Sequence, residues 1–195
     1  MKNIYKSEQN GRSMIEMLGV LAIIGVLSVG GISGYSKAMA KFKVNKTLDQ
    51  VSMLITNIRT MYSNQSSYTG IDNASIISFD LASQDMVKGT DLVNPFQGSI
   101  TVAPGGTGTT VGNSFTVEYQ GLDSNSCVTI ASSDWGGAPS SGLVTISIND
   151  TAYSWGGTAA EDGTVSNNLP INLATAAAAC NDKNGNNNKI KWEYR

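Results

Sequence analysis

The chain has 195 residues, 41% of them hydrophobic and 14% charged, which suits one domain core plus an appendage. It contains no histidine, and this absence argues against hydrolase triads and zinc sites. Residues 1–62 carry eight Lys or Arg and three acids (net +5), whereas residues 63–195 carry five and twelve (net −7). The acidic part offers no basic surface for nucleic acid. We therefore predict no catalytic residue, no cofactor and no nucleic-acid partner.

The N-terminus combines a short polar stretch with a long apolar one. Residues 1–11, MKNIYKSEQNG, resemble a leader peptide. Between Met17 and Ser36 no residue is charged, and about twenty helical residues span about 30 Å, the thickness of a hydrocarbon core. Glu16 adjoins this run. A carboxylate at the middle of a bilayer costs roughly 2.5 to 3.5 kcal/mol, so we expect Glu16 to have a partner.

The apolar run continues into a one-sided pattern, which predicts that the same helix extends to about residue 62. The pattern consists of residues spaced by three or four, Val44, Leu48, Val51, Ile55, Ile58 and Tyr62. This spacing places an apolar stripe on one face of a helix. We expect a helix over residues 12–62, membrane-spanning over about 14–36 and amphipathic beyond.

Residues 63–195 are predicted to form a globular head with antiparallel strands. A loop region over residues 63–98 contains one expected short helix at 77–87 and a turn at 94–98, NPFQG. Apolar runs bounded by Gly, Asn, Asp or Pro then predict a sheet within residues 99–195. The five predicted strands are residues 99–103, 114–119, 127–131, 142–148 and 189–195. The predicted class is α+β, with the long helix packed on the sheet.

Three smaller features of the head also carry expectations. Cys127 and Cys180 are its two cysteines, and an even number favours a disulfide in an oxidising compartment over two buried free thiols. Trp135 and Trp155 each precede a Gly-Gly pair, and we expect them to be buried rather than displayed for binding. The stretch 181–189, NDKNGNNNK, is predicted to be a turn, because its glycine is misplaced for a calcium loop.

The N-terminus admits four interpretations. A plain anchor explains the apolar run but gives Glu16 no purpose. A conventional signal peptide cut after the AMA at residues 38–40 would make the chain a secreted adhesin that begins at Lys41. The order of Gly11, four residues, Glu16 and an uncharged helix instead resembles the signal of type IV prepilins. A pseudopilin or minor pilin of a secretion or uptake machine has the same signal.

The resemblance to type IV pilins implies a mechanism of assembly. A prepilin peptidase would cut between Gly11 and Arg12 and methylate the new amine. Glu16 of one subunit would then pair with the Arg12 amine of a neighbour, and the apolar helices would pack into a helical homopolymer. The partners implied are the inner membrane before assembly, the peptidase and the pilus assembly machinery, and the destination is an extracellular filament. Arg12 departs from the family, whose mature chains usually begin with phenylalanine or another apolar residue.

Overall fold

The computed structural model describes residues 14–136, 138–156, 168–180 and 187–195. The chain divides into two compact units, residues 1–40 and residues 41–195. Helix α1, Met14–Met61, contributes to both. The other helices are α2 (Asn73–Ser78), α3 (Ser124–Ala131) and α4 (Leu173–Ala179). The strands are β1 (Val87–Lys88), β2 (Asp91–Val93), β3 (Ser99–Pro104), β4 (Phe115–Leu122), β5 (Leu143–Ile148), β6 (Thr151–Ser154) and β7 (Asn188–Tyr194).

The first unit consists, in its described part, of the first half of α1. All but one of its described side chains are exposed, and Met39 is the half-buried exception. The helix contains an 18-residue window with a mean hydropathy of 2.2 and no buried residue. By length and composition this helix is able to cross a membrane.

The second half of α1 belongs to the head and buries the predicted stripe. Val44, Val51, Ile55 and Ile58 are buried, while Leu48 and Tyr62 are half-buried against the same core. The helix ends at Met61, one residue before the predicted end. The stripe prediction is therefore confirmed, because each chosen position contacts the core.

In its described residues, the head contains one seven-stranded sheet in the order β1-β2-β3-β4-β7-β5-β6, with every strand pair antiparallel. The interior strand β7 places Trp192 opposite Val117 of β4 and Ile146 of β5. Alternate residues of β4 and β7 are buried, as expected where one sheet face covers a core. The predicted α+β class with a long N-terminal helix is confirmed.

Several element predictions are wrong in detail. Residues 127–131, predicted as a strand, lie in helix α3. The short helix expected at 77–87 is instead α2, Asn73–Ser78, which Asp72 caps together with Ser75. The sheet also begins earlier than residue 99, because β1 and β2 lie within the predicted loop region. Strand β6 and helix α4 were not predicted.

Candidate assembly site

Glu16 lies in the first turn of α1, as described from Met14, and its side chain is exposed. Gly11 and Arg12, the predicted cleavage and pairing residues, lie outside the described residues. Glu16 is followed by an uncharged helical run to Ser36. Within the described helix, Glu16 is thus the one charged side chain at the start of the apolar segment, where it is free to pair with a cation of a neighbouring subunit.

Polar contacts fasten the head part of α1 to the loop before β1. Lys46 Nζ lies 2.6 Å from Asp85 Oδ2, and Gln50 Nε2 donates to the same oxygen at 3.0 Å. Asn57 Nδ2 donates to the Leu81 carbonyl at 2.8 Å. Several hydrogen bonds lower the pKa of Asp85 to about 2, and the bond from the Lys46 ammonium has the largest effect. The Asp85 carboxylate is therefore charged at neutral pH and holds the loop against the helix.

The turn between β2 and β3 is built around the buried side chain of Asn94. Its Oδ1 accepts from the backbone amides of Phe96 at 2.9 Å and Gly98 at 3.0 Å, and its Nδ2 donates to the Gln120 carbonyl at 2.6 Å. A Cβ at Gly98 would lie 1.8 Å from that carbonyl oxygen. Only glycine fits at residue 98, and the predicted NPFQG turn is present for this reason.

A disulfide joins Cys127 of α3 to Cys180 at the end of α4, with the Cα atoms 5.8 Å apart. The expected bond is therefore confirmed. Asn149 Nδ2 donates to the Ala179 carbonyl at 2.9 Å, beside the bridge. The disulfide and this hydrogen bond hold α4 on the rest of the head.

The outer face of the sheet carries a polar cleft of about 540 Å³. Glu193 Oε1 accepts from Ser114 Oγ at 2.5 Å and from the Gly106 amide at 3.1 Å, and Oε2 accepts from Thr145 Oγ1 at 3.1 Å. The Oε1 bonds hold the β3–β4 loop, and the Oε2 bond reaches strand β5. Glu193 thus has a structural role in shaping the cleft.

The tryptophans have structural partners. Trp135 is buried, and its Nε1 donates to the Ile130 carbonyl at 2.8 Å. Trp155 is half-buried, and its Nε1 donates to the Leu143 carbonyl at 3.0 Å. The expected burial is thus confirmed for Trp135 and found in part for Trp155.

Residues 181–186 of the predicted turn lie outside the described part of the chain. Among the described residues there is no cluster of three His, Cys, Asp or Glu able to hold a metal ion.

The head and its helix match known proteins. The bundlin family model matches residues 37–195. The major structural subunit of bundle-forming pilus from Escherichia coli O111:H- is 28% identical over 189 residues, covering 95% of each chain. The subunit of the same description from Escherichia coli O127:H6 (strain E2348/69 / EPEC) has the same identity and coverage.

Two solved structures share the fold. A type IVb pilin from Salmonella typhi aligns with a TM-score of 0.55 at 23% identity, over 77% of this chain and 99% of that one. TcpA, a type IV pilin from the Vibrio cholerae El Tor biotype, aligns with a TM-score of 0.50 at 14% identity, over 78% and 99%. The long apolar helix, the antiparallel sheet and the family match all indicate the same fold. The chain belongs to the bundlin family and has the type IV pilin fold.

Proposed function

We propose that this chain is a structural subunit of a type IV pilus, which polymerises through α1 into an extracellular helical filament. The apolar first half of α1, with Glu16 in its first described turn, is the observation that carries the proposal. The E. coli relatives are described as major structural subunits of a pilus, which favours this function over a pseudopilin of a secretion machine. The subunit is held in the inner membrane before assembly.

In this proposal a prepilin peptidase cuts between Gly11 and Arg12 and methylates the new amine. The α-amino group of Arg12 is then a cation near the start of the apolar helix. Two opposite charges in a low-dielectric medium attract strongly, and an unpaired one is expensive, so the pair of Glu16 with a neighbour's amine sets the axial register. Such a head-to-tail contact, repeated without closing, produces a helical filament. The assembly machinery extracts each subunit from the membrane into this contact.

Substitution of Glu16 tests the mechanism. Glu16→Ala is expected to insert normally in the inner membrane and to begin at Arg12 after processing, but to reduce the yield of surface filaments at least tenfold. The measurements are N-terminal sequencing of the membrane fraction and quantification of sheared filaments by electron microscopy and immunoblot.

Glu8→Ala is the matched control, because it removes the same charge from the segment that processing would discard. It should leave filament yield unchanged. Normal yield from Glu16→Ala would contradict the pairing mechanism. A mature chain that begins at Lys41 would instead support the secreted adhesin.

A further inference from the structure

The middle part of α1 carries several lysines and no acidic residue. From Met17 to Leu48 the chain has no Asp or Glu, and its charged residues are Lys37, Lys41, Lys43 and Lys46. Among the described residues only Lys46 of this group forms an ion pair, with Asp85 at 2.6 Å. The other three therefore lack an acidic partner within the described part of the subunit.

Lys41 and Lys43 flank an exposed aromatic side chain. Phe42 is 58% exposed, and Lys41 is exposed beside it. Lys43 is half-buried, with its Nζ 5.6 Å from the centre of the Phe96 ring, which is within the range of a cation–π contact. An exposed aromatic ring between two cations is typical of segments that lie at a membrane surface.

The position of this segment along α1 indicates what covers it. Lys41 follows Ser36, the last residue of the uncharged run, by five residues, a helical rise of about 7.5 Å. A polar headgroup layer extends about 5 to 7 Å beyond the hydrocarbon core on each side of a bilayer. If the uncharged run fills the core, then Lys41 lies at the outer edge of the headgroup layer and Lys43 about 3 Å further out. Their side chains lean back towards this layer, because helical side chains tilt towards the N-terminus.

We propose that Lys41, Phe42 and Lys43 bind the surface of an anionic phospholipid bilayer before the subunit enters a filament. The two ammonium groups donate to lipid phosphates, and Phe42 inserts between the headgroups. The inference rests on the proposed function, because it requires the first half of α1 to lie in the membrane. It goes further because it names the class of lipid that these three residues bind. It also limits their role to the time before the subunit leaves the membrane.

The test uses the full chain with Phe42→Trp as a reporter. The chain is reconstituted in vesicles of phosphatidylcholine, or in vesicles in which a third of the lipid is phosphatidylglycerol. A trace of lipid with a nitroxide headgroup quenches fluorescence at the surface, and the signal of the unsubstituted chain is subtracted to remove the native tryptophans. Quenching of the reporter should be about twofold stronger in the anionic vesicles, and molar salt should abolish the difference because the attraction is electrostatic.

Two double variants, both made in the chain with Phe42→Trp, distinguish the effect of Lys41 and Lys43 from that of the total charge of the chain. Lys41→Gln with Lys43→Gln should remove the dependence on lipid charge. Lys88→Gln with Lys191→Gln removes two positive charges from strands β1 and β7 and should preserve it. Equal quenching in both kinds of vesicle, or loss of the dependence in both double variants, would overturn the proposal.

Two further results separate this inference from the proposed function. If the chain resists alkaline extraction from both kinds of vesicle but its quenching does not depend on lipid charge, then α1 spans the membrane and only the proposed lipid contact is wrong. A chain that is extracted from both contradicts the membrane step itself, and the lipid contact with it. A third result would also overturn the lipid contact. If lipid charge has no effect on quenching, and filaments of the Lys41 and Lys43 double variant dissociate in salt, then the two lysines bind an acidic surface on a second copy of the chain.

Discussion

Single polar residues of the head act by holding loops in place. Asn94 satisfies three backbone groups from inside a turn, and Glu193 satisfies the β3–β4 loop from the outer face of the sheet. Composition indicates many such residues, since Gly, Ser, Thr and Asn are abundant. Which backbone groups each one binds depends on loops far apart in sequence. The NPFQG turn was predictable from its own residues, whereas the bond from Asn94 to Gln120 was not.

The ion pair between Lys46 and Asp85 gives the head a pH dependence at acid pH. The pKa of Asp85 is about 2 in the folded chain, against 3.8 as its ordinary value. A depressed carboxyl pKa stabilises the folded state above the ordinary value, and this stability is lost as the pH falls towards 2. The Asp85 side chain is 41% exposed, so solvent screening reduces its contribution to about 1 kcal/mol.

We therefore expect Asp85→Asn to lower the free energy of unfolding by about 1 kcal/mol at pH 6 and to have little effect near pH 2. Denaturant titration of the full chain in mild detergent at both pH values measures this difference. Asp91→Asn, at an exposed position without an ion pair in the described part of the chain, is the control. A penalty for Asp85→Asn that is the same at both pH values would refute the ion pair as its cause.

At the scale of elements, helix α1 was predictable and helix α3 was not. The apolar stripe of α1 extends over several turns, so its period is unambiguous. The run CVTIA is only five residues long and rich in β-branched residues, which suits a strand equally well. It is helical because Asp123 caps it, accepting from the Ser126 amide at 2.9 Å, and because Cys127, Ile130 and Ala131 are buried together. Burial at helical spacing decided the structure.

Adjacent residues of α1 allow a test of how strongly the helix depends on the sheet. Leu54 is fully buried and Met53 is 36% exposed. Leu54→Ala should lower the free energy of unfolding by about 3 kcal/mol, because it leaves a cavity in the core. Met53→Ala should change it by less than about 0.5 kcal/mol. Urea titration of both variants in detergent gives the comparison, and equal effects would mean that α1 is not docked as described.

For the whole molecule, the proposed assembly site rests on a local signal, whereas the head rests on long-range contacts. The signal at Gly11 and Glu16 and the uncharged run after it are contiguous in sequence, so their meaning does not depend on folding. The head depends on pairings between distant segments. Strand β6 and helix α4 lie among Gly-rich and Ala-rich residues with little periodicity, and no strand or helix was therefore predicted there. The cysteine pair was the one long-range contact that composition alone indicated.

The disulfide should contribute more than any other single link in the head. Cys127 and Cys180 are 53 residues apart in sequence, and closing a loop of that length stabilises a fold by about 4 kcal/mol in the chain-entropy model. Replacing both cysteines with serine should lower the free energy of unfolding by about that amount, as should reduction of the unsubstituted chain. Urea titrations with and without reductant measure the loss. A loss below about 1 kcal/mol would mean that packing and hydrogen bonds, rather than the disulfide, hold α3 and α4.

The place of β7 in the sheet also bears on how the subunit is made. This strand comes last in sequence order but lies between β4 and β5. During synthesis, β1 to β4 and β5 with β6 are therefore two separate groups, and each presents an open strand edge. Open strand edges favour mispairing and aggregation. A polypeptide that lacks β7 therefore keeps the β4 and β5 edges unpaired, and its head sheet stays in two pieces.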